Sequence, residues 1–165
     1  MNRALAALTA CGLLTVLVEA TAEPRPEPIG VTAALYALIA VLVFGRVDRQ
    51  PARRRAVLAV PYVLAQLALG FVVFTLAHAG VGATLLLMVL VSQGVLLLPL
   101  PAAVAVTAAV PLVHVGMDWG DGLRSGLSTL GAAVFTAVVT EVLQREQWAR
   151  GELAEANDLL RGYAA

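Results

Sequence analysis

"LLLPLPAAV", residues 96–104, decides the path of this chain. It lies inside the longest apolar run, from about Val81 to Met117, which carries no charged residue. A membrane-spanning helix needs about 20 apolar residues, so the run is too long for one crossing. Pro99 and Pro101 supply the break. Each lacks an N–H, and each disfavours helix in the residue before it. The spacing predicts two short helices, about Ala83 to Leu98 and about Ala102 to Met117. A re-entrant pair is the alternative, and it leaves the parity of the chain unchanged.

Working outward, the composition fits such a class. Of 165 residues, 60% are hydrophobic and 13% are charged, with a mean hydropathy of +0.87. Soluble domains carry roughly 25% charged residues. A water-soluble fold cannot hide this much apolar surface, so the fold class is all-α integral membrane protein. The 11 basic residues are all arginine and are balanced by 11 acidic ones. No basic face for nucleic acid emerges. The single cysteine, Cys11, excludes an internal disulfide or a cysteine-based zinc site.

The remaining spans follow from hydropathy. The first runs from about Ala4 to Ala22. A cleaved signal segment is its alternative, because Arg3 precedes the apolar run and "ATA" at residues 20–22 resembles a cleavage site. "LTAC", residues 8–11, resembles a lipoprotein box but has too few apolar residues before it. "EPRPEP", residues 23–28, reads as an extended loop. The second span covers about Ile29 to Phe44, the third about Ala56 to Ala77, and the last about Leu123 to Leu143. "DWGDG", residues 118–122, reads as a polar turn before the last span.

"GRVDRQPARRR", residues 45–55, sets the orientation. Arg46, Arg49, Arg53, Arg54 and Arg55 crowd one short loop, and arginine-rich loops stay in the cytoplasm. Four crossings later the chain is again inside, where Arg145 and Arg150 agree with the rule. The expectation is a multi-pass protein of about six helices in a bacterial inner membrane, with both termini cytoplasmic.

Residues 144–165 change character. Leu153, Ala156, Leu160 and Tyr163 follow the 3-4-3 spacing of heptad core positions. Extended backward, the register passes Ala149 and Glu146 to Val142 and Val139, so it runs into the last span without interruption. Glu141 to Arg145 and Glu146 to Arg150 are i,i+4 pairs with the acid first. Residues 1–143 therefore read as a transmembrane domain, and 144–165 as a cytoplasmic coiled-coil helix suited to homodimer pairing. The bland alternative is a solvated amphipathic helix. Trp148 lies off the seam and reads as an interface anchor.

"REQWARGELAEANDLLRGYAA", residues 145–165, resembles the linker helix of bacterial membrane sensor histidine kinases. The branch it resembles pairs with LuxR-type response regulators and includes the desaturase thermosensors. The resemblance implies a sensor and signal-transmission module. In that branch the helix leads to a phosphoacceptor histidine. Here the histidines are His78 and His114, and neither is followed by an acidic residue. These residues contain no glycine-rich nucleotide lid either, so catalysis and a response-regulator partner depend on a kinase core beyond them.

Within the spans, polar residues are the functional suspects. Gln66 is central in the third span, and Ser92 and Gln93 in the fourth. Their ordinary role is to join helices by hydrogen bonds, with ligand binding as the alternative. His114, near the outer end of the fifth span, reads as a packed interface residue or as a proton sensor. Gly122 and Gly126 have a spacing that permits close helix approach. No metal cluster, cofactor motif or nucleophile–base pair is present in the sequence, and no catalytic residue is expected among 1–165. The other function classes in contention are a free-standing membrane adaptor and a small-substrate transporter or channel subunit.

Overall fold

The computed structural model describes the backbone of residues 2–115 and 119–164 and the side chains of residues 3–115 and 121–160. The described residues are helical throughout, apart from short connections. In order they form α1 (Asn2–Ala20), α2 (Pro26–Asp48), α3 (Ala52–Leu76), α4 (Val81–Leu97), α5 (Leu100–Ala109), a 3-10 segment (Val110–His114) and α6 (Trp119–Ala164). Four helices, α1, α2, α3 and α6, are long and apolar enough to cross a membrane; α4 and α5 with its 3-10 extension are shorter and equally apolar.

The break at residues 96–104 is present. Leu98 and Pro99 are extended, with ψ of 154° and 153°. Both proline effects act there: Leu98 is pushed out of the helical region, and Pro101 sits harmlessly in the first turn of α5. The same logic ends α5 early. Pro111 removes a donor, and the chain tightens into 3-10 geometry from Val110 to His114 rather than continuing as an α-helix.

Three loop expectations need correction. "EPRPEP" is not extended throughout, because α2 begins at Pro26, with Glu27 in its first turn. Proline is tolerated at this position, and an acid there suits the helix dipole. "GRVDRQPARRR" is mostly helical too: α2 runs to Asp48 and α3 starts at Ala52. Of "DWGDG", Asp118 lies outside the described residues, and Trp119 to Gly122 already belong to α6.

The bundle is arranged around α4. It touches α1, α2, α3, α5 and α6. Its buried residues run almost unbroken from Leu86 to Leu97, which explains why it is apolar on every side. In a bilayer this burial gains little from water exclusion, since lipid is as apolar as leucine. Close packing must hold it instead. The tightest approach is at Gly82, where any Cβ would fall on the backbone nitrogen of Val16 in α1. Gly12 of α1 faces Leu86 across the same contact. By contrast, a Cβ at Gly126 would stand 4.0 Å from the Pro111 carbonyl oxygen, an ordinary distance. A glycine-mediated crossing is therefore made between α1 and α4, whereas Gly126 has ordinary room.

The start of α4 is capped from another helix. The Glu19 carboxylate, at the end of α1, accepts hydrogen bonds from the Val81 N–H at 2.9 Å and the Gly82 N–H at 3.1 Å. An anion belongs at that positive pole. Glu19 is half-buried here.

Candidate functional site

Gln66, Ser92, Gln93 and His114 are all buried. Gln66 and Gln93 take part in hydrogen bonds that join neighbouring helices. The Tyr62 hydroxyl of α3 donates to Gln93 Oε1 at 2.6 Å, and Gln93 Nε2 donates to the Ala40 carbonyl of α2 at 2.8 Å. Gln66 Nε2 donates to the Tyr36 carbonyl at 3.3 Å. The Tyr36 hydroxyl in turn donates to the Leu86 carbonyl of α4 at 2.7 Å. Helices α2, α3 and α4 are thus joined by their polar groups. Among the described residues, Gln66 Oε1 is a buried acceptor with no partner.

Ser92 has a different task. Its hydroxyl shares a hydrogen bond with that of Thr140 at 3.1 Å, so it ties α4 to α6. Thr140 also bonds back to the Thr136 carbonyl within its own helix. His114 packs edge-on against Phe74, with ring centroids 5.0 Å apart, and its Nδ1 lies 3.3 Å from the Pro111 carbonyl oxygen. It is an interior packing residue at this position. His78 lies in the α3–α4 connection, with Nδ1 3.4 Å from Glu23 Oε1. His78 and Ala79 both have positive φ.

Tyr36, Tyr62 and Thr140 were not singled out from sequence. A tyrosine in the middle of an apolar span is the signal that was available, because its hydroxyl needs a partner there. Tyr62 and Gln66 even share a face, at i,i+4.

The heptad seam lies along α6. Val139, Val142, Leu153, Ala156 and Leu160 are exposed; the Tyr163 side chain lies outside the described residues. Both expected ion pairs form, Arg145 with Glu141 at 2.9 Å and Arg150 with Glu146 at 2.6 Å. Helix α6 is packed on α4, α5 and the 3-10 segment, through buried Thr129 and Ala133.

A groove of about 1210 Å³ opens between α5 and α6. Its floor is the end of α4. Arg55 at the start of α3 lines it, as do Arg145 and Trp148 of α6. Gln66, Gln93 and His114 do not line it, so these buried polar residues and the groove are separate features. Among the described residues, no group of three or more His, Cys, Asp or Glu side chains is placed to hold a metal ion. Compared with protein families, with curated proteins and with solved structures, the chain matches none.

Proposed function

We propose that residues 1–165 form the membrane sensor and transmission region of a two-component histidine kinase, with α6 as the output rod. One observation carries this reading: α6 is a single helix of 46 residues. At 1.5 Å per residue it is about 69 Å long, against a hydrocarbon core of about 30 Å. More than half of it therefore overhangs the bilayer. The overhanging part bears Leu153, Ala156 and Leu160 on the seam, exposed and in phase with Val139 and Val142. Two such rods pairing in parallel would bury that seam. A shift between two packings of the membrane bundle would move it.

The topology supports this direction of travel. Helix α4, with 17 residues, is about 26 Å long. Helix α5 with its 3-10 segment adds to about 25 Å. Each is close to a full crossing, so the chain reads as six spans rather than four with a re-entrant pair. Arg55, Arg145 and Trp148 line one groove, which supports a reading with the arginine-rich connection and the departing tail on the same side. The positive-inside rule makes that side cytoplasmic, in a bacterial inner membrane. The phosphoacceptor and nucleotide site then lie outside residues 1–165, and a response regulator is a partner of that part.

Cysteine cross-linking tests the rod. Cys11 is exposed and must first be replaced. Leu153→Cys and Leu160→Cys should each give symmetric dimers in membranes, while exposed Glu152→Cys, off the seam, should give far less. Equal yields at all three sites, or none, would refute the paired coil. Fusing a kinase core after residue 165 tests the signalling claim. Inserting single residues near Gln144 should make autophosphorylation rise and fall with the heptad phase. Output that ignores the insertions would sink that claim.

A further inference from the structure

We propose that the groove between α5 and α6 is a binding site for one anionic phospholipid, with the phosphate held at Arg55 and an acyl chain lying along α6. The groove runs from Leu130 to Trp148 on α6, which is about 27 Å of helix. One bilayer leaflet contributes about 15 Å of hydrocarbon, half of the whole core. A full acyl chain therefore fits lengthwise. Val134 and Val138 of α6, with Ala103 and Val104 of α5, make its walls apolar.

The charged lining residues are Arg55, Glu141 and Arg145. Arg145 holds Glu141 through both Nε and an Nη at 2.9 Å. Arg55 has no carboxylate partner among the described residues. It is half-buried as a whole. It also sits in the first turn of α3, whose N-cap, Pro51, offers no side-chain acceptor. Three consecutive arginines, Arg53 to Arg55, thus stand at the positive pole of an uncapped helix. That arrangement works against the helix dipole unless an anion joins it. A phosphate supplies the missing charge, and arginine is suited to bind it through paired hydrogen bonds. Trp148 adds an aromatic ring at the headgroup level, where tryptophan is favoured. Because the lipid would lie between α5 and the output rod, its presence would bias the position of α6. That last consequence rests on the proposed transmission role; binding itself does not.

The test is native mass spectrometry of the full chain, released from nanodiscs of equal phosphatidylglycerol and phosphatidylcholine. The parent should retain one phosphatidylglycerol in preference to phosphatidylcholine. Arg55→Gln should lower that retention about tenfold, the scale of one charge-assisted hydrogen bond. Arg53→Gln, on the same turn but outside the groove, should retain it. Val138→Trp should abolish retention of either lipid by filling the trough. Since Val138 is exposed, that variant leaves the core untouched. Equal retention of both lipids by the parent, or a parent-like Arg55→Gln, would overturn the site. So would an efficient symmetric disulfide from Val138→Cys in membranes, which would seat a second copy in the groove. A chain that keeps its lipid but fails to cross-link at residue 153 would sink the paired coil and leave the site standing.

Discussion

Replacing Gly82 by alanine should push α1 off α4 and destabilise the bundle by about 1 to 3 kcal/mol. The added methyl would fall on the Val16 nitrogen, 2.7 Å from Val16 Cγ2 and 2.9 Å from the Thr15 carbonyl carbon. Carbon atoms pack at about 3.5 to 4.0 Å, so α1 must retreat by roughly 1 Å. Two of the three obstructing atoms are backbone and cannot rotate away. Overpacking of this kind costs about 1 to 3 kcal/mol. The retreat also stretches the Glu19 bonds to Val81 and Gly82, now 2.9 and 3.1 Å long, toward the limit of useful geometry. Against this, alanine gains up to about 1 kcal/mol in helix propensity. Gly70→Ala is the control. Its methyl would lie 2.8 Å from Leu87 Cδ2, the far end of a side chain that can turn, and 3.4 Å from Tyr36 Cε2. It should change stability by less than about 1 kcal/mol, because the propensity gain offsets a mild clash. The assay is unfolding of the purified full chain in mixed micelles by graded sodium dodecyl sulfate, followed by far-ultraviolet circular dichroism. A Gly82→Ala protein as stable as the parent, or a Gly70→Ala protein that loses more, would refute the close crossing of α1 on α4.

Other outcomes follow from the polar contacts. In the same unfolding assay, a double-mutant cycle on Tyr62→Phe and Gln93→Leu should give a coupling of about 0.6 to 1.7 kcal/mol, the range for hydrogen bonds between membrane helices. A coupling of zero would mean that the Tyr62–Gln93 bond is not made. Glu19→Ala should cost about 1 to 2 kcal/mol by uncapping α4, and Glu19→Gln less, since one acceptor oxygen remains. Ser92→Ala and Thr140→Val should each cost about 0.6 kcal/mol, and the double variant no more than either alone. Gly151→Ala, where a Cβ meets nothing within 4 Å, should stabilise the exposed tail by up to about 1 kcal/mol, seen as slower amide exchange near residue 151.

How far the sequence could be read depended on what each feature announces locally. Pro99 announced itself, because a missing donor acts on its own neighbours whatever surrounds it. Loop edges were misplaced where helix-tolerant residues looked like loop residues: Pro26 begins a helix, and Arg53 to Arg55 form the first turn of one. Gln66, Ser92 and Gln93 were legible as buried polar groups, since an amide or hydroxyl deep in an apolar span must find partners. Which partners was not legible. The Tyr62–Gln93 bond joins residues 31 positions apart, and nothing in either neighbourhood signals the other. The central place of α4 was equally hidden. A helix that is apolar on all sides carries no directional pattern, so its sequence cannot distinguish a lipid-facing span from one enclosed by protein. Glu19 sits near a span end in the sequence, but its role depends on where the start of α4 arrives, which is decided by tertiary packing.

The enclosure of α4 has a consequence for how this protein is made. Among the described helices its neighbours lie on both sides of it in the chain: α1 is made before it and α6 after it. Ser92 bonds Thr140, 48 residues later. At a synthesis rate of about 5 to 20 residues per second, that partner arrives roughly 2 to 10 s after Ser92 does. In a membrane, one flank of α4 would face lipid or an insertion factor during that interval. Leucine and valine make such waiting harmless, and a lone hydroxyl such as Ser92 keeps its cost low. The greasiness of α4 thus serves an interim stage of biogenesis as well as the finished bundle, whose last joint closes only when α6 has been inserted.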